Sequence, residues 1–129
     1  MILADTSIWI DHFRSPHPEM RRLLVRDQIA MHSLVAAELA LGSLRDRAKT
    51  LAFLDWLPQA QVAQLSEIRH MIEAHALYSK GIGLTDAHLI ASCLLTPGTQ
   101  LWTRDAALEK VAKALGILVN PANTGRSQL

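Results

Sequence analysis

The sequence predicts an α/β domain built on a mainly parallel central sheet of four to five strands, with helices on both faces. Three observations predict it. Short apolar runs, the first being Met1-Ile2-Leu3-Ala4, alternate with segments of helical periodicity. Several of these runs end at acidic or hydroxyl residues suited to opening the next helix. The chain has 129 residues, half of them hydrophobic, which suits one domain that buries its own core without disulfides or a structural metal. Strands separated by helices pair in parallel, and the helices cover the sheet on both sides.

In chain order, Met1 to Ala4 reads as a buried strand ending at an acid. Asp5-Thr6-Ser7 supplies capping side chains ahead of Ile8-Trp9-Ile10, so a helix starts there, and Pro16 and Pro18 break it. Glu19 to Asp27 reads as a second short helix with Leu23 and Leu24 inward, and Gln28 to His32 as a second strand. Ser33 is the expected N-cap of a helix reaching Leu44. Arg47 to Leu57 is a further helix ended by Pro58, and Val62 to Leu65 is a weak strand. Ser66-Glu67 opens a helix carrying Ile68, Met71, Ile72, His75 and Ala76 at helical spacing, which Gly81-Ile82-Gly83 stops. Thr85 is the expected cap of a helix to Leu95, and Pro97-Gly98 is a turn. Gln100 to Thr103 is a strand, Asp105 starts a helix to Leu115, and Ile117 to Val119 is the last strand. Residues 1–120 are the expected domain and 121–129 a polar tail.

A single cysteine, Cys93, excludes an internal disulfide. The N-terminus lacks the basic start and long apolar run of a secretory signal, and no apolar stretch reaches the length of a membrane span. The expectation is a soluble, cytoplasmic protein that does not meet a membrane. The formal net charge is +1, so the chain does not advertise a nucleic-acid partner through its overall charge.

The acids carry the chemistry. Asp5 and Asp105 each follow a strand, and Asp86 sits at a helix start after Gly83-Leu84-Thr85. In open parallel sheets the carboxyl ends of strands and the N-termini of helices share one edge, where active sites lie. Glu38 lies within Leu34-Val35-Ala36-Ala37-Glu38-Leu39-Ala40-Leu41, on a helical face shared with Leu34, Val35, Leu41 and Gly42. A carboxylate on that apolar face needs a partner, and a cation is one such partner. Taken singly, each acid has a plainer reading. Asp5, Asp86 and Asp105 suit helix starts, and Glu38 could reach solvent or a distant arginine. Taken together, converging carboxylates repel by about 1 kcal/mol per pair in water at 4 Å and about 4 near a protein surface. A hard divalent ion, Mg²⁺ or Mn²⁺, removes that cost and suits phosphodiester hydrolysis.

At these residues the sequence resembles the PIN domain, and more closely the VapC toxins of prokaryotic toxin–antitoxin pairs. The matching segments are Leu3-Ala4-Asp5-Thr6-Ser7-Ile8-Trp9-Ile10-Asp11, Ala37-Glu38-Leu39 with Gly42, Gly81-Ile82-Gly83-Leu84-Thr85-Asp86-Ala87-His88-Leu89-Ile90-Ala91-Ser92, and Leu101-Trp102-Thr103-Arg104-Asp105. They occur in the family's order and span nearly the whole chain. The resemblance implies an Mg²⁺- or Mn²⁺-dependent endoribonuclease with Asp5, Glu38, Asp86 and Asp105 as catalytic and metal-holding residues. Thr6, Ser7 and Thr103 would be supporting hydroxyls. It implies structured RNA, tRNA or ribosomal RNA, as substrate and a VapB antitoxin as inhibitor. It also implies toxin dimers and larger toxin–antitoxin assemblies, which meet DNA only through the antitoxin.

Other residues are weighed against plainer roles. Arg104 and Lys80 flank the acidic segments and are the expected RNA contacts. Arg14, Arg21, Arg22 and Arg26, and then Arg45, Arg47 and Lys49, form basic groups that usually are just solvated. His12 and His88 could move a proton, but packing or hydrogen bonding near the cluster is the preferred reading. His75 reads as structural. Ile8, Trp9, Phe13, Leu51, Phe53, Leu54 and Trp56 are generous for one small core, so part of that surface could meet a partner chain. Two other classes compete with the nuclease. A non-catalytic RNA-binding module of the same fold should have lost acids from the cluster, and none is lost. A phosphatase of haloacid-dehalogenase type needs a second Asp where Ser7 stands, and no P-loop is present.

Overall fold

In the computed structural model, which describes residues 1–121, three strands pair in parallel ladders: β1 (Ile2–Ala4), β2 (Ile29–Ala30) and β3 (Gln100–Trp102). Their order is β2-β1-β3, with Leu3 opposite both Ala30 and Leu101. Isolated parallel bridges extend the sheet at each edge, Met31 with Gln59 and Leu101 with Leu118. The fourth and fifth positions are thus held by single bridges. The strand expected at Ile117 to Val119 contracts to one, with Leu101 N–H donating to Ile117 and Val119 N–H donating to Leu101. No strand forms at Val62 to Leu65. Its place is taken earlier in the chain, where the Pro58 carbonyl accepts from Met31 N–H and Ala60 N–H donates to the Met31 carbonyl, both at 2.8 Å. Proline lacks the N–H that a central strand needs, so it suits this edge position.

Successive residues on a strand face opposite sides of the sheet. Leu3 and Ala4, Ile29 and Ala30, and Leu101 and Trp102 are all buried, so both faces are covered. The covering helices are α1 (Thr6–Arg14), α2 (Pro18–Val25), α3 (Ser33–Ala40), α4 (Arg47–Trp56), α5 (Leu65–Ala74), α6 (Leu84–Leu95) and α7 (Ala106–Ala114). Helix α6 packs on β3 and α5, α2 on β2, and α3 on α1 and α4. Seven consecutive residues of α6, Ala87 to Cys93, are buried, which makes it the central helix.

Several helix ends differ from expectation. His32, not Ser33, caps α3, because its Nδ1 accepts the Leu34 N–H at 3.0 Å. Helix α3 stops at Ala40 rather than Leu44, where the Arg47 guanidinium donates to the carbonyls of Ala40 and Gly42 and satisfies the helix end. Gln64 and Glu67 form a capping box that opens α5. That helix ends at Ala74, well before Gly81, since Ala76 turns into the left-handed region at φ 51°. Gly83, not Thr85, precedes α6. The polar tail expected at 121–129 lies, beyond Pro121, outside the described residues. Among the described residues no helix is long and apolar enough to cross a membrane.

The apolar surface singled out in the sequence divides. Ile8, Trp9 and Leu54 are in the core, and Phe13 and Leu51 pack against it. Phe53 is 39% and Trp56 75% exposed.

Candidate active site: an acidic cleft at the sheet edge

The strands set the site. Asp5 leaves the carboxyl end of β1, and its N–H donates to the Trp102 carbonyl at the end of β3. The two strand ends therefore lie side by side, and Asp5 and Thr103 meet there. Both are buried, at 6% and 5% exposure. The Thr103 hydroxyl donates to Asp5 Oδ2 and accepts the Asp105 N–H at 3.0 Å. Asp5 Oδ1 accepts from Ile8 N–H at 3.1 Å and from the Ser7 hydroxyl at 2.6 Å. A buried carboxylate held by three donors is fixed in one orientation, with one of its roughly four acceptor directions left over.

The other acids arrive from helix ends. Asp105 is the N-cap of α7 and accepts the Leu108 N–H at 2.9 Å. Asp86 stands in the first turn of α6 and accepts the Gly83 N–H at 3.2 Å. The plain roles of Asp5 and Asp105 as caps, and of Asp86 at a helix start, are thus real and coexist with their place at one sheet edge. Glu38 differs from expectation. It is exposed rather than buried on an apolar face, because the core contacts of α3 are made by Val35 and Leu39 while Leu41 is 88% exposed. Its Oε1 accepts the Thr6 hydroxyl at 2.6 Å.

The four acids, with Thr6, Ser7, Thr85 and Leu89 among their neighbours, line one open cleft of about 340 Å³. Among the described residues, the three ion pairs are Arg14–Asp11, Arg22–Glu19 and Arg104–Asp11, so none neutralises the four acids. Burial, and then the negative charges of Asp105, Asp5 and Glu38, raise the Asp86 carboxyl above the usual carboxylate range, opposed by the hydrogen bond from Gly83. The cleft is a ring of donors around open space and not a closed coordination shell. Among the described residues, no three acidic, imidazole or thiol groups are drawn together tightly enough to hold an ion. The donor set still fits Mg²⁺ or Mn²⁺: it is all oxygen, it is net negative, and Mg²⁺ commonly keeps several waters and takes only one or two carboxylates.

The raised Asp86 has a consequence for stability. A carboxyl whose folded pKa lies above its unfolded value stabilises the fold at low pH, and this contribution is lost as pH rises through the folded pKa. In chelator at neutral pH, Asp86→Asn is therefore expected to raise the thermal midpoint, with the gain vanishing in acid. Thermal scans between pH 4 and 8 check this, and a lowered midpoint at neutral pH would contradict the charge crowding.

The basic residues lie elsewhere. Arg104 is held by Asp11 of α1, Nη1 to Oδ2 at 2.5 Å, so its guanidinium is engaged by a carboxylate; Lys80 is exposed in the segment between α5 and α6. Neither lines the cleft. Arg47 serves α3, and Arg22 pairs with Glu19. His12 accepts the His17 N–H, and burial first, then His17 and Arg21, lower its pKa. His88 is buried against His32. Burial pushes the Cys93 thiol up to about 12, which removes it as a nucleophile. The sequence reading missed the Arg104–Asp11 pair, Thr85 and Leu89 as cleft walls, and His32 as a cap.

The PIN domain family model matches residues 2–114. "Ribonuclease VapC32" of Mycobacterium tuberculosis is 38% identical over 117 residues, covering 91% of this chain and 94% of that protein. "Ribonuclease VapC11" of Mycobacterium tuberculosis and "VapC ribonuclease Mb1587" of Mycobacterium bovis are each 29% identical over 124 residues, covering 88% of this chain and 92% of the relative.

Proposed function

Since this chain belongs to the PIN domain family and groups there with the VapC ribonucleases, we propose that it is an Mg²⁺- or Mn²⁺-dependent endoribonuclease, the toxin of a VapBC-type pair. The single observation that carries the reading is the cleft itself. Asp5, Glu38, Asp86 and Asp105 line one open volume at the carboxyl edge of the sheet, and none of them is neutralised by a basic residue among those described.

Asp5 is the fixed point of the site. Its carboxylate is anchored by Thr103, Ser7 and the start of α1, so it presents its free acceptor direction without reorganising. Asp86 and Asp105 present carboxylate oxygens from two helix N-termini, and the Thr6 hydroxyl orients Glu38. A bound divalent ion would supply an activated water and neutralise charge on the phosphate and the leaving oxygen. The four carboxylates repel a bare phosphate, so the residues of this cleft act on RNA only once their charge is offset. The openness of the cleft suits a folded RNA strand, tRNA or ribosomal RNA, reaching it from solvent.

A second groove of about 460 Å³ adjoins the cleft at Glu38 and is walled by Ile10, Phe13, Leu39 and Leu44 with Arg14 and Arg45. Its apolar floor and basic rim support a VapB-type antitoxin segment as the inhibitor. A toxin homodimer and a higher toxin–antitoxin assembly, touching DNA only through the antitoxin, complete the reading, in the cytoplasm.

The direct test is incubation of the purified protein with total tRNA and ribosomal RNA in Mg²⁺, in Mn²⁺ and in chelator. Discrete fragments in metal and none in chelator are expected. Fragments that persist in chelator would overturn metal dependence. RNA retention with no cleavage under any metal would assign the chain to the binding modules of this fold.

A further inference from the structure

Two buried imidazoles stand on the elements that bring Glu38 and Asp86 to the cleft. His32 stands at the N-terminus of α3 and is fully buried; His88 is on α6 and 6% exposed. Their ring centres are 6.0 Å apart, with planes at 62°. His32 Nδ1 accepts the Leu34 N–H at 3.0 Å, so that nitrogen carries a lone pair. In a neutral ring the proton is then on Nε2. Burial first, and then His88, lower the His32 pKa to about 4, so the ring is neutral at physiological pH. Its Nε2 is buried and has no hydrogen-bond partner among the described residues, and the same is true of His88 Nδ1.

One ring thus has a donor lacking an acceptor, and the other a nitrogen that can accept. Buried polar groups in folded proteins are nearly always paired. A linear N–H···N bond of about 3 Å puts two imidazole centres roughly 5 Å apart, about 1 Å less than the separation here. A bridging water needs two to four polar partners, and this pair offers it only the minimum.

We infer that His32 Nε2–H donates to His88 Nδ1, and that this buried imidazole pair is a positioning element holding α3, with Glu38, in register with α6, with Asp86. The bond rests on the placement of the two rings and their unpartnered nitrogens; its effect on cleavage rests on the nuclease reading above. His32 sits six residues before Glu38 and His88 two after Asp86, so the pair acts through the two helices and does not touch substrate.

The first measurement is a long-range ¹H–¹⁵N spectrum of the ¹⁵N-labelled protein at neutral pH, without metal or RNA. His32 is expected to carry its proton on Nε2, with a through-hydrogen-bond N–N coupling between His32 Nε2 and His88 Nδ1. An Nδ1–H tautomer at either ring, or no coupling, overturns the bond whether or not the chain cleaves RNA. The second measurement is kinetic. His32→Asn keeps an oxygen to cap α3 and withdraws the donor from the Nε2 position, its amide nitrogen falling near the ring's Cδ2. It is expected to lower kcat roughly tenfold, the size of losing a partner that orients a ligand, with KM unchanged. His88→Asn, which keeps an acceptor near Nδ1, should retain most of kcat, and His88→Leu should not. An unchanged kcat in correctly folded His32→Asn overturns the positioning role even where the coupling is seen.

Discussion

Asp5→Asn is expected to cut RNA cleavage by roughly 10²–10³-fold, the scale of losing one preorganised charge contact at a reacting centre, while leaving the thermal midpoint nearly unchanged. The two effects separate because Asp5 has two jobs. As the N-cap of α1 it accepts the Ile8 N–H, and asparagine caps a helix as well as aspartate does. The Thr103 hydroxyl can rotate to accept from the new amide while still accepting the Asp105 N–H, and the cost of its freed O–H proton is offset by relief of the repulsion among the four acids. What disappears is the charge. Cleavage rates with matched circular-dichroism melts check this, and a full rate in the folded variant would remove Asp5 from the chemistry.

Thr103→Val should be the opposite case, a substitution of similar shape that damages the fold and the site together. The hydroxyl links three segments: it donates to the buried Asp5 carboxylate and accepts the N–H of Asp105, which caps α7. Valine leaves a buried carboxylate oxygen and a backbone N–H with one partner fewer. Hydrogen bonds to charged groups contribute about 1.5–3 kcal/mol, so a loss of about 2–3 kcal/mol in urea unfolding is expected, with cleavage falling as Asp5 loses its fixed orientation. A loss below about 0.5 kcal/mol, within the range of ordinary surface substitutions, would show that the contact holds nothing in place.

The acids were legible because each lies at a boundary that the local pattern marks. Asp5 and Asp105 follow apolar runs that become β1 and β3, and Asp86 follows a glycine-bounded turn. Their place at one sheet edge follows from parallel pairing, which the alternation of strands and helices predicts. The surroundings of Glu38 were not legible. Helical spacing groups it with Leu34, Val35 and Leu41, but which side of so short a helix faces inward is decided by tertiary packing; α3 lies against α1 and α4, and Val35 and Leu39 are its buried residues. Long-range partners account for the other departures. The end of α3 is set by Arg47 reaching back, and an edge bridge forms at Gln59 because Met31 finds the Pro58 carbonyl. Arg104 turns to Asp11, a pairing that proximity in the chain gives no sign of. A histidine N-cap such as His32 carries no compositional signal beside the serine that follows it, since serine is the commoner cap.

Titration of Mn²⁺ into the metal-free protein by calorimetry, in parallel with Asp5→Asn and Asp86→Asn, decides whether the acidic cleft holds a metal. The acidic cleft predicts saturable binding by the unsubstituted protein, a thermal midpoint that rises with Mn²⁺, and weakening of both effects in each variant. Absence of saturable binding, or binding that survives both substitutions unchanged, would contradict the cleft as a metal site and with it the proposed route to RNA cleavage.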